Sequence, residues 1–189
     1  MVSVKEMMTP EYFAELLKRK TVGGKARIDL GSGRQAAEVP DYIHIDKWDG
    51  DDIDIVQDLD GGLPRVLIIP WEKSEMAFAP STVDEIRAHH LCEHIRNLYQ
   101  LMDDCWDALK PNGILHICVP NGHHLKAAYS DPTHVRTFVP ETFNYFCHDA
   151  LSAFPYTTKE WRIHGGYPKV NGTSPDDLWE IECIMSPVK

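Results

Sequence analysis

The fold is decided by an apolar stretch that runs into two glycines, Ile28-Asp29-Leu30-Gly31-Ser32-Gly33. Together with the two residues before it, the apolar part predicts a short β-strand over 26–30. The glycines let the backbone turn and approach a ligand with no side chain in the way. In a parallel α/β sheet, ligands bind at this carboxyl edge of the strands. The stretch therefore predicts a ligand-binding loop after the first strand.

The rest of the chain alternates predicted strands with helices. Further strands are expected over 42–46, 53–58, 83–88 and 114–119, and two closing strands over 161–170 and 178–188. The clearest helix carries apolar residues from Ile95 to Leu109 at three- and four-residue steps, and Pro111-Asn112-Gly113 is expected to end it. This order predicts a Rossmann-like α/β fold. We expect one seven-stranded, mostly parallel sheet with helices on both faces and an antiparallel last strand.

Length and composition limit what the chain can be. Its 189 residues, 43% hydrophobic and 25% charged, predict a single domain over 1–189 with its own core. Residues 1–20 are predicted to form an N-terminal helix rather than a signal peptide, and no apolar run is long enough to predict a membrane span. The net charge of −10 disfavours nucleic acid as a partner and favours a small-molecule substrate.

The five cysteines are scattered and form no Cys-x-x-Cys pair. We therefore expect reduced thiols and a cytoplasmic protein. Three aromatic residues near the end of the chain, Trp161, Tyr167 and Trp179, are expected in the core or at the face of a homodimer.

Three acidic residues lie at successive predicted strand ends. Asp29 comes two residues before the first glycine, Asp46 ends the second strand and Asp58 ends the third. Each alone is more often a solvated loop residue, but the three together indicate a nucleoside pocket. We expect Asp46 to accept hydrogen bonds from both ribose hydroxyls, and Asp58 to accept one from the adenine amino group.

The glycine spacing by itself is compatible with two kinds of cofactor. Gly31-x-Gly33-x-x-Ala36 also fits the fingerprint of a dinucleotide such as NAD. Asp29 argues against that cofactor, because a carboxylate beside the loop repels a pyrophosphate. S-adenosylmethionine has no phosphate, and its sulfonium and ammonium groups are attracted by a carboxylate. The loop therefore favours S-adenosylmethionine, and an NAD-dependent oxidoreductase is kept as an alternative.

From Lys25 to Asn121 the chain resembles the class I S-adenosylmethionine-dependent methyltransferases, in particular the short methyltransferase type 11 domains. The motifs that carry the resemblance are Asp29–Gly33, Tyr42–Asp46, Asp58-Leu59, Val83–Ile86 with His90–His94, and Leu109–Leu115, with a weaker match over Ser130–Glu141. The cofactor-binding residues that it implies are Asp29, Leu30, Gly31, Ser32 and Gly33 at the methionine end, Asp46 with the adjacent Lys47 at the ribose, Asp58 and Leu59 at the adenine, and His90 beside the cofactor.

Two departures from that family stand out. Its third glycine is replaced here by Arg34-Gln35-Ala36. Only residues 47–52 separate the second and third predicted strands, although a parallel crossover normally needs about a dozen residues. The third strand is therefore either a short edge piece or wrongly predicted, and the role of Asp58 depends on which holds.

The stretch His89-His90-Leu91-Cys92-Glu93-His94 suggests a metal site. His90, Glu93 and His94 are spaced at i, i+3 and i+4, so a helix would place them on one face. The simpler interpretation is that Glu93 and His94 begin a helix, where a carboxylate suits the dipole. We therefore predict no metal and keep these three residues as weak candidate ligands.

The segment over 122–160 is rich in histidine and aromatic residues and is expected to cover the substrate. His94 and His134 are the candidate catalytic bases, because an oxygen or nitrogen nucleophile needs a base with a suitable pKa. No Asn-Pro-Pro-Tyr-like motif of amino-methylating enzymes is present, which favours methyl transfer to oxygen of a small molecule or sugar. A noncatalytic module that binds S-adenosylmethionine is a further alternative.

Overall fold

A computed structural model describes residues 10–63, 81–174 and 177–189. The helices in these ranges are α1 Pro10–Lys20, α2 Leu98–Ala108, α3 Leu125–Tyr129 and α4 His148–Ala153. The strands are β1 Arg27–Leu30, β2 Ile43–Asp46, β3 Ile55–Val56, β4 Val83–His89, β5 Leu109–Pro120, β6 Trp161–Ile163, β7 Lys169–Asn171 and β8 Glu180–Pro187. The first nine residues of the predicted N-terminal helix lie outside the described residues.

The described strands form one sheet in the order β3-β2-β1-β4-β5-β8-β6, and β7 also pairs with β8. Strands β1 to β5 run parallel, and β8 runs antiparallel to β5, β6 and β7. The predicted Rossmann-like, mostly parallel α/β sheet with an antiparallel last strand is confirmed. The sheet has eight strands in the described ranges rather than seven, because a turn at His164–Gly166 divides the predicted strand over 161–170. Gly165 and Gly166 both take a positive φ in that turn.

The connection between β2 and β3 is short because β3 is an edge piece of two residues. Ile55 pairs with Ile45, and Val56 pairs with Asp46. Asp54 fastens the connection, since its backbone amide donates to the His44 carbonyl and its side chain accepts from the His44 amide, both at 3.0 Å. The prediction of a strand over 53–58 was too long, but the strand exists and is parallel.

The helix α2 ends at Ala108, and β5 begins at the next residue. Pro111-Asn112-Gly113 therefore lies inside β5, not after the helix as predicted. The pairing of β4 with β5 shifts register there, from Val83 opposite Leu109 to Glu85 opposite Ile114. Asn112 has a φ of +64°, so the turn-like sequence forms a bulge that lets both parts of β5 pair with β4.

The core lies on both sides of the sheet's central strands. Ile28, Leu30 and Ile45 are fully buried, and Phe138 and Phe143 stack over the core at 5.7 Å between ring centroids. Trp161 is buried in this core, whereas Tyr167 and Trp179 are exposed. All five cysteines are free thiols. None of the helices in the described parts of the chain has the length and apolar character needed to cross a membrane.

Candidate functional site

A cavity of about 680 Å³ opens at the carboxyl edge of β1, β2 and β4. Its volume is within the usual range for small-molecule and cofactor sites. The predicted cofactor residues that line it are Gly31, Asp46, Lys47, Asp58, Leu59 and His90. The other lining residues are Trp48, Gln57, Asp60, Leu91, His94, Ile95, Arg96, Pro132, Thr133 and Val135. Six of the ten predicted cofactor residues thus meet in one cavity.

The glycine loop carries no large side chain, and the loop's amides already donate to β2, either to its backbone or to the side chain of Asp46 at its end. The amide of Gly31 donates to the Ile45 carbonyl at 2.8 Å, and that of Ser32 donates more weakly to the same oxygen at 3.4 Å. The amide of Gly33 donates to Oδ2 of Asp46 at 2.9 Å. Because a pyrophosphate is normally bound by free amides of such a loop, this arrangement suits a ligand without phosphate.

Gly31 is required by close packing. Its φ is +66°, and a Cβ at this position would lie 2.9 Å from Cδ1 of Leu91. Gly33 also has a positive φ, of +50°, but a Cβ there would meet no atom within 4 Å. The first glycine therefore lets Leu91, which follows β4, approach the loop and close one side of the cavity.

Asp46 is fixed by two backbone amides. Its side chain accepts from Gly33 through Oδ2 and from Trp48 through Oδ1, each at 2.9 Å, and the residue is 7% exposed. A carboxylate has about four lone-pair sites, so each oxygen can accept a further hydrogen bond from a ligand. The two amides preorganise this acceptor at the end of β2.

Asp58 and Leu59 lie where the chain leaves β3. Oδ1 of Asp58 accepts from the Asp60 amide at 3.0 Å and so begins the turn Leu59–Gly61, in which Leu59 is buried. Asp60 in turn binds Arg96, whose Nη1 donates to Oδ2 at 2.6 Å. The backbone amide of Arg96, and then its side chain, lower the pKa of the Asp60 carboxyl. This ion pair lies at the edge of the cavity.

Asp29 does not line the cavity. It is 2% exposed, and its Oδ2 lies 3.4 Å from Nδ1 of His44 and 3.5 Å from Nη1 of Arg87. The register of the sheet causes this, because His44 on β2 and Arg87 on β4 are the residues opposite Asp29. The predicted attraction between Asp29 and a cationic ligand is therefore an indirect one, partly offset by Arg87.

Three other predicted cofactor residues are also absent from the cavity lining. Leu30 is completely buried in the core, and Ser32 is 4% exposed. The Ser32 hydroxyl donates to the Asp29 carbonyl at 2.8 Å. These side chains support the loop from beneath, and Gly33 touches the site only through its bond to Asp46.

His90 is held between two carboxylates. Its Nδ1 lies 3.5 Å from Oε1 of Glu93, its Nε2 lies 3.3 Å from Oε2 of Glu180, and its ring is nearly parallel to that of Trp179. The contact with Glu93 raises the pKa of His90 more than burial lowers it. His90 itself has a φ of +51°. The chain thus turns away from β4 at the cavity wall.

The two candidate bases occupy different positions. His94 lines the cavity, and its Nδ1 lies 3.0 Å from the hydroxyl and 3.3 Å from the carbonyl of Thr133. His134 lies behind it, with the ring centroids 4.9 Å apart, and contacts the Ala128 carbonyl through Nδ1 at 2.9 Å. Only His94 is placed to meet a bound molecule directly.

The predicted helical face of His90, Glu93 and His94 does not form, because Cys92–His94 is a single 3₁₀ turn. The structure instead brings Glu93, His94 and His134 together, with one ligand atom from each within 4.8 Å of the others. His90 is outside this group. Local spacing could not indicate that His134 belongs to this group, because this residue lies about forty positions further along the chain.

Part of the segment over 122–160 reaches the cavity, through Pro132, Thr133 and Val135. Sequence reasoning missed these residues, as it missed Trp48, Asp60 and Arg96. The available signal was adjacency, since Trp48 and Asp60 each follow a predicted site residue by two positions. Arg96 had no such signal, because only the folded chain pairs it with Asp60.

No protein-family model matches the sequence, and no curated protein matches it in sequence. Solved structures match it in fold. An S-adenosylmethionine-dependent methyltransferase from Archaeoglobus fulgidus is 17% identical, with a TM-score of 0.51 and 94% of both chains covered. A variant of the 16S rRNA (adenine(1408)-N(1))-methyltransferase from Catenulisporales acidiphilia, with its cosubstrate S-adenosylmethionine, is 13% identical, with a TM-score of 0.54 and coverage of 96% of this chain and 92% of that chain.

A third match is the 1,6-didemethyltoxoflavin-N1-methyltransferase of Burkholderia thailandensis, with 1,6-didemethyltoxoflavin and S-adenosylhomocysteine bound. It is 11% identical, with a TM-score of 0.54 and coverage of 97% of this chain and 79% of that chain. The chain therefore has the fold of the class I S-adenosylmethionine-dependent methyltransferases. One of these neighbours acts on RNA and another on a small molecule, so the fold leaves the acceptor open.

Proposed function

We propose that this protein is an S-adenosylmethionine-dependent methyltransferase of the short type 11-like kind, acting on an oxygen of a small molecule or sugar. The observation that carries the proposal is Asp46, a nearly buried carboxylate that two backbone amides hold at the cavity with acceptor capacity to spare. In the neighbouring loop, the amides of Gly31, Ser32 and Gly33 are already bonded to β2 and are not available to a phosphate. Both features match a nucleoside that carries no phosphate.

The residues fit the cofactor in order along the cavity. Asp46 accepts from the ribose hydroxyls, with Lys47 beside it, and Asp58 with Leu59 lies where the adenine would sit. The backbone of Gly31–Gly33 faces the methionine end, supported from beneath by Asp29, Leu30 and Ser32, and His90 closes the wall opposite. When bound, the cofactor supplies a methyl group on a sulfonium already activated for displacement. The protein's part is to align the acceptor and exclude water.

The acceptor enters from the side of the cavity formed by His94 and Thr133. A small acceptor without negative charge suits a lining in which Arg96 neutralises Asp60 and Lys47 accompanies the carboxylates of Asp46 and Asp58, in a chain of net charge −10. His94 is the residue placed to take a proton from an acceptor hydroxyl, and His134 packs behind it. Both assignments rest on position.

Binding measurements separate this proposal from its alternatives. We expect S-adenosylhomocysteine, but not NAD or NADH, to bind the purified protein in calorimetry and to raise its melting temperature. Binding of NAD alone would refute the proposal and favour the oxidoreductase. Transfer of labelled methyl from S-adenosylmethionine to a panel of hydroxylated small molecules then tests turnover. If the cofactor binds but neither small molecules nor RNA are methylated, the noncatalytic module is favoured.

A further inference from the structure

The carboxylate of Glu93 is buried without a hydrogen-bond partner among the described residues. The residue is 1% exposed, and neither of its oxygens accepts a hydrogen bond from the part of the chain that the structure describes. Two imidazole nitrogens, Nδ1 of His90 and Nε2 of His134, lie 3.5 Å and 4.0 Å from Oε1, beyond the length of a good hydrogen bond. A buried carboxylate is unfavourable unless something compensates its charge. The imidazole of His90 compensates this charge only across 3.5 Å and is shared with Glu180, so the carboxylate can bind a further cation.

Two imidazoles beside Glu93 are oriented as metal ligands. His134 contacts the Ala128 carbonyl through Nδ1, at 2.9 Å, and His94 contacts the carbonyl and the hydroxyl of Thr133 through Nδ1, at 3.3 Å and 3.0 Å. A carbonyl can only accept, and the Thr133 hydroxyl donates its own proton to Asp131 at 2.6 Å, so each Nδ1 carries the proton and each Nε2 keeps its lone pair. A carbonyl partner on the second ring nitrogen is the usual support of a metal-binding histidine. This support fixes the tautomer that a cation requires.

We propose that Glu93, His94 and His134 bind one divalent transition-metal ion of the Zn²⁺ type. One ligand atom of each lies within 4.8 Å of the others, and tetrahedral bonds of about 2.0–2.2 Å to a shared ion would bring these atoms to roughly 3.3–3.6 Å from one another. One carboxylate and two imidazoles form a set that Zn²⁺ and Fe²⁺ both accept. Three protein ligands leave at least one coordination position open, and the His94 side of the site faces the cavity.

This site would change the role of the two histidines in the proposed reaction. As metal ligands, His94 and His134 cannot take the acceptor's proton, and a bound cation would instead lower the pKa of a coordinated hydroxyl. That consequence rests on the proposed methyltransferase function. The binding of the metal does not, because it depends only on the three ligands.

The test is metal titration of the full-length protein after chelator treatment and removal of the chelator. We expect one equivalent of Zn²⁺ by calorimetry, and Co²⁺ in its place should give a visible absorption band. Glu93→Gln and, as a second variant, His94→Asn should each weaken Zn²⁺ binding at least tenfold. S-adenosylhomocysteine binding to the metal-free protein is measured in parallel, so failure of the metal site and failure of the proposed function are distinguishable.

Two controls locate the ion. His148 and Glu160 form a more exposed histidine–carboxylate pair, with Nδ1 and Oε2 3.1 Å apart, so His148→Asn matches the chemistry of His94→Asn outside the site. His116→Asn removes a member of the other described group of potential ligands, His89, His116 and Cys118. Both controls should keep full Zn²⁺ affinity. If no Zn²⁺ binds, or if binding survives Glu93→Gln and is lost in His116→Asn, the proposal is wrong; if Glu93→Gln does not fold, His94→Asn decides.

Discussion

Replacing Asp46 with asparagine should weaken the binding of S-adenosylhomocysteine about 10- to 100-fold. The side chain now accepts from the Gly33 and Trp48 amides through separate oxygens, each at 2.9 Å. Asparagine keeps one oxygen, and its amide nitrogen cannot accept from either backbone group. The variant also loses the charge that strengthens a bond from a ribose hydroxyl. Hydrogen bonds to charged groups contribute about 1.5–3 kcal/mol, which corresponds to the predicted loss of affinity.

The measurement is calorimetric titration with S-adenosylhomocysteine, with thermal unfolding to establish that the variant is folded. Asp49→Asn is the matched control, because Asp49 is an exposed carboxylate on the same connection that does not line the cavity. It removes the same charge and should bind with wild-type affinity.

A ligand-side comparison separates a lost ribose contact from a distorted loop. To the wild type, a 2′-deoxy analogue of S-adenosylhomocysteine should bind more weakly than the parent compound. To Asp46→Asn, the analogue and the parent compound should bind with equal affinity. Two changes that remove the same interaction are not additive. Asp46 does not hold the ribose if the parent compound binds equally to wild type and Asp46→Asn. The same conclusion follows if the affinity lost through Asp46→Asn and the affinity lost with the 2′-hydroxyl simply add.

Two further predictions concern stability. Gly31→Ala should lower the free energy of unfolding by about 1–3 kcal/mol more than Gly33→Ala, because both glycines have a positive φ but only Gly31 would place a Cβ against Leu91; equal losses in urea unfolding would contradict the packing argument. Burial, and then the charge of Arg87, lower the pKa of His89 from 6.5 to about 4. As the pH falls, the unfolded chain therefore binds this proton before the folded chain does, and the free energy of unfolding declines between the unfolded and the folded pKa of His89. His89→Asn should reduce that decline by about 1 kcal/mol, since the ring is only partly buried, and an unchanged pH profile of unfolding would count against it.

The strand ends were predictable because local patterns define them. An apolar run followed by glycine, or by an acidic residue, marks where a strand stops, and parallel strands stop at one edge of the sheet. Gly31, Asp46 and Asp58 were placed in this way, and all three line the cavity. Leu59 also lines it, but only the family resemblance indicated that residue. The same rule gives the position of a residue along its strand but not what lies beside it.

Asp29 shows what the local pattern leaves out. Its neighbours are set by the register of β1 against β2 and β4, which places His44 and Arg87 opposite it. That register depends on packing of the whole sheet. The contact between His134 and Glu93 depends on tertiary packing in the same way, because it forms only when the segment after β5 packs beside the turn that follows β4.

Turn-forming residues were misplaced for a related reason. Pro111-Asn112-Gly113 occurs in a bulge within β5, and Gly165-Gly166 in a turn that divides a predicted strand. Glycine and asparagine indicate a positive φ, which turns and bulges share. Whether pairing resumes beyond them depends on the neighbouring strand.

The hydrogen bonds of the glycine loop explain how one spacing can serve two kinds of cofactor. In a dinucleotide site, the amides after the first glycine and at the start of the following helix face the pyrophosphate. Here the amides of Gly31 and Ser32 donate to Ile45, that of Gly33 donates to Asp46, and a 3₁₀ helix follows over Gly33–Glu38. Each bond that anchors the loop to β2 leaves one donor fewer for an anion, and the bond from Gly33 also fixes the Asp46 carboxylate at the cavity. Under the proposed function, the same glycine spacing therefore positions a carboxylate for ribose hydroxyls instead of amides for a phosphate.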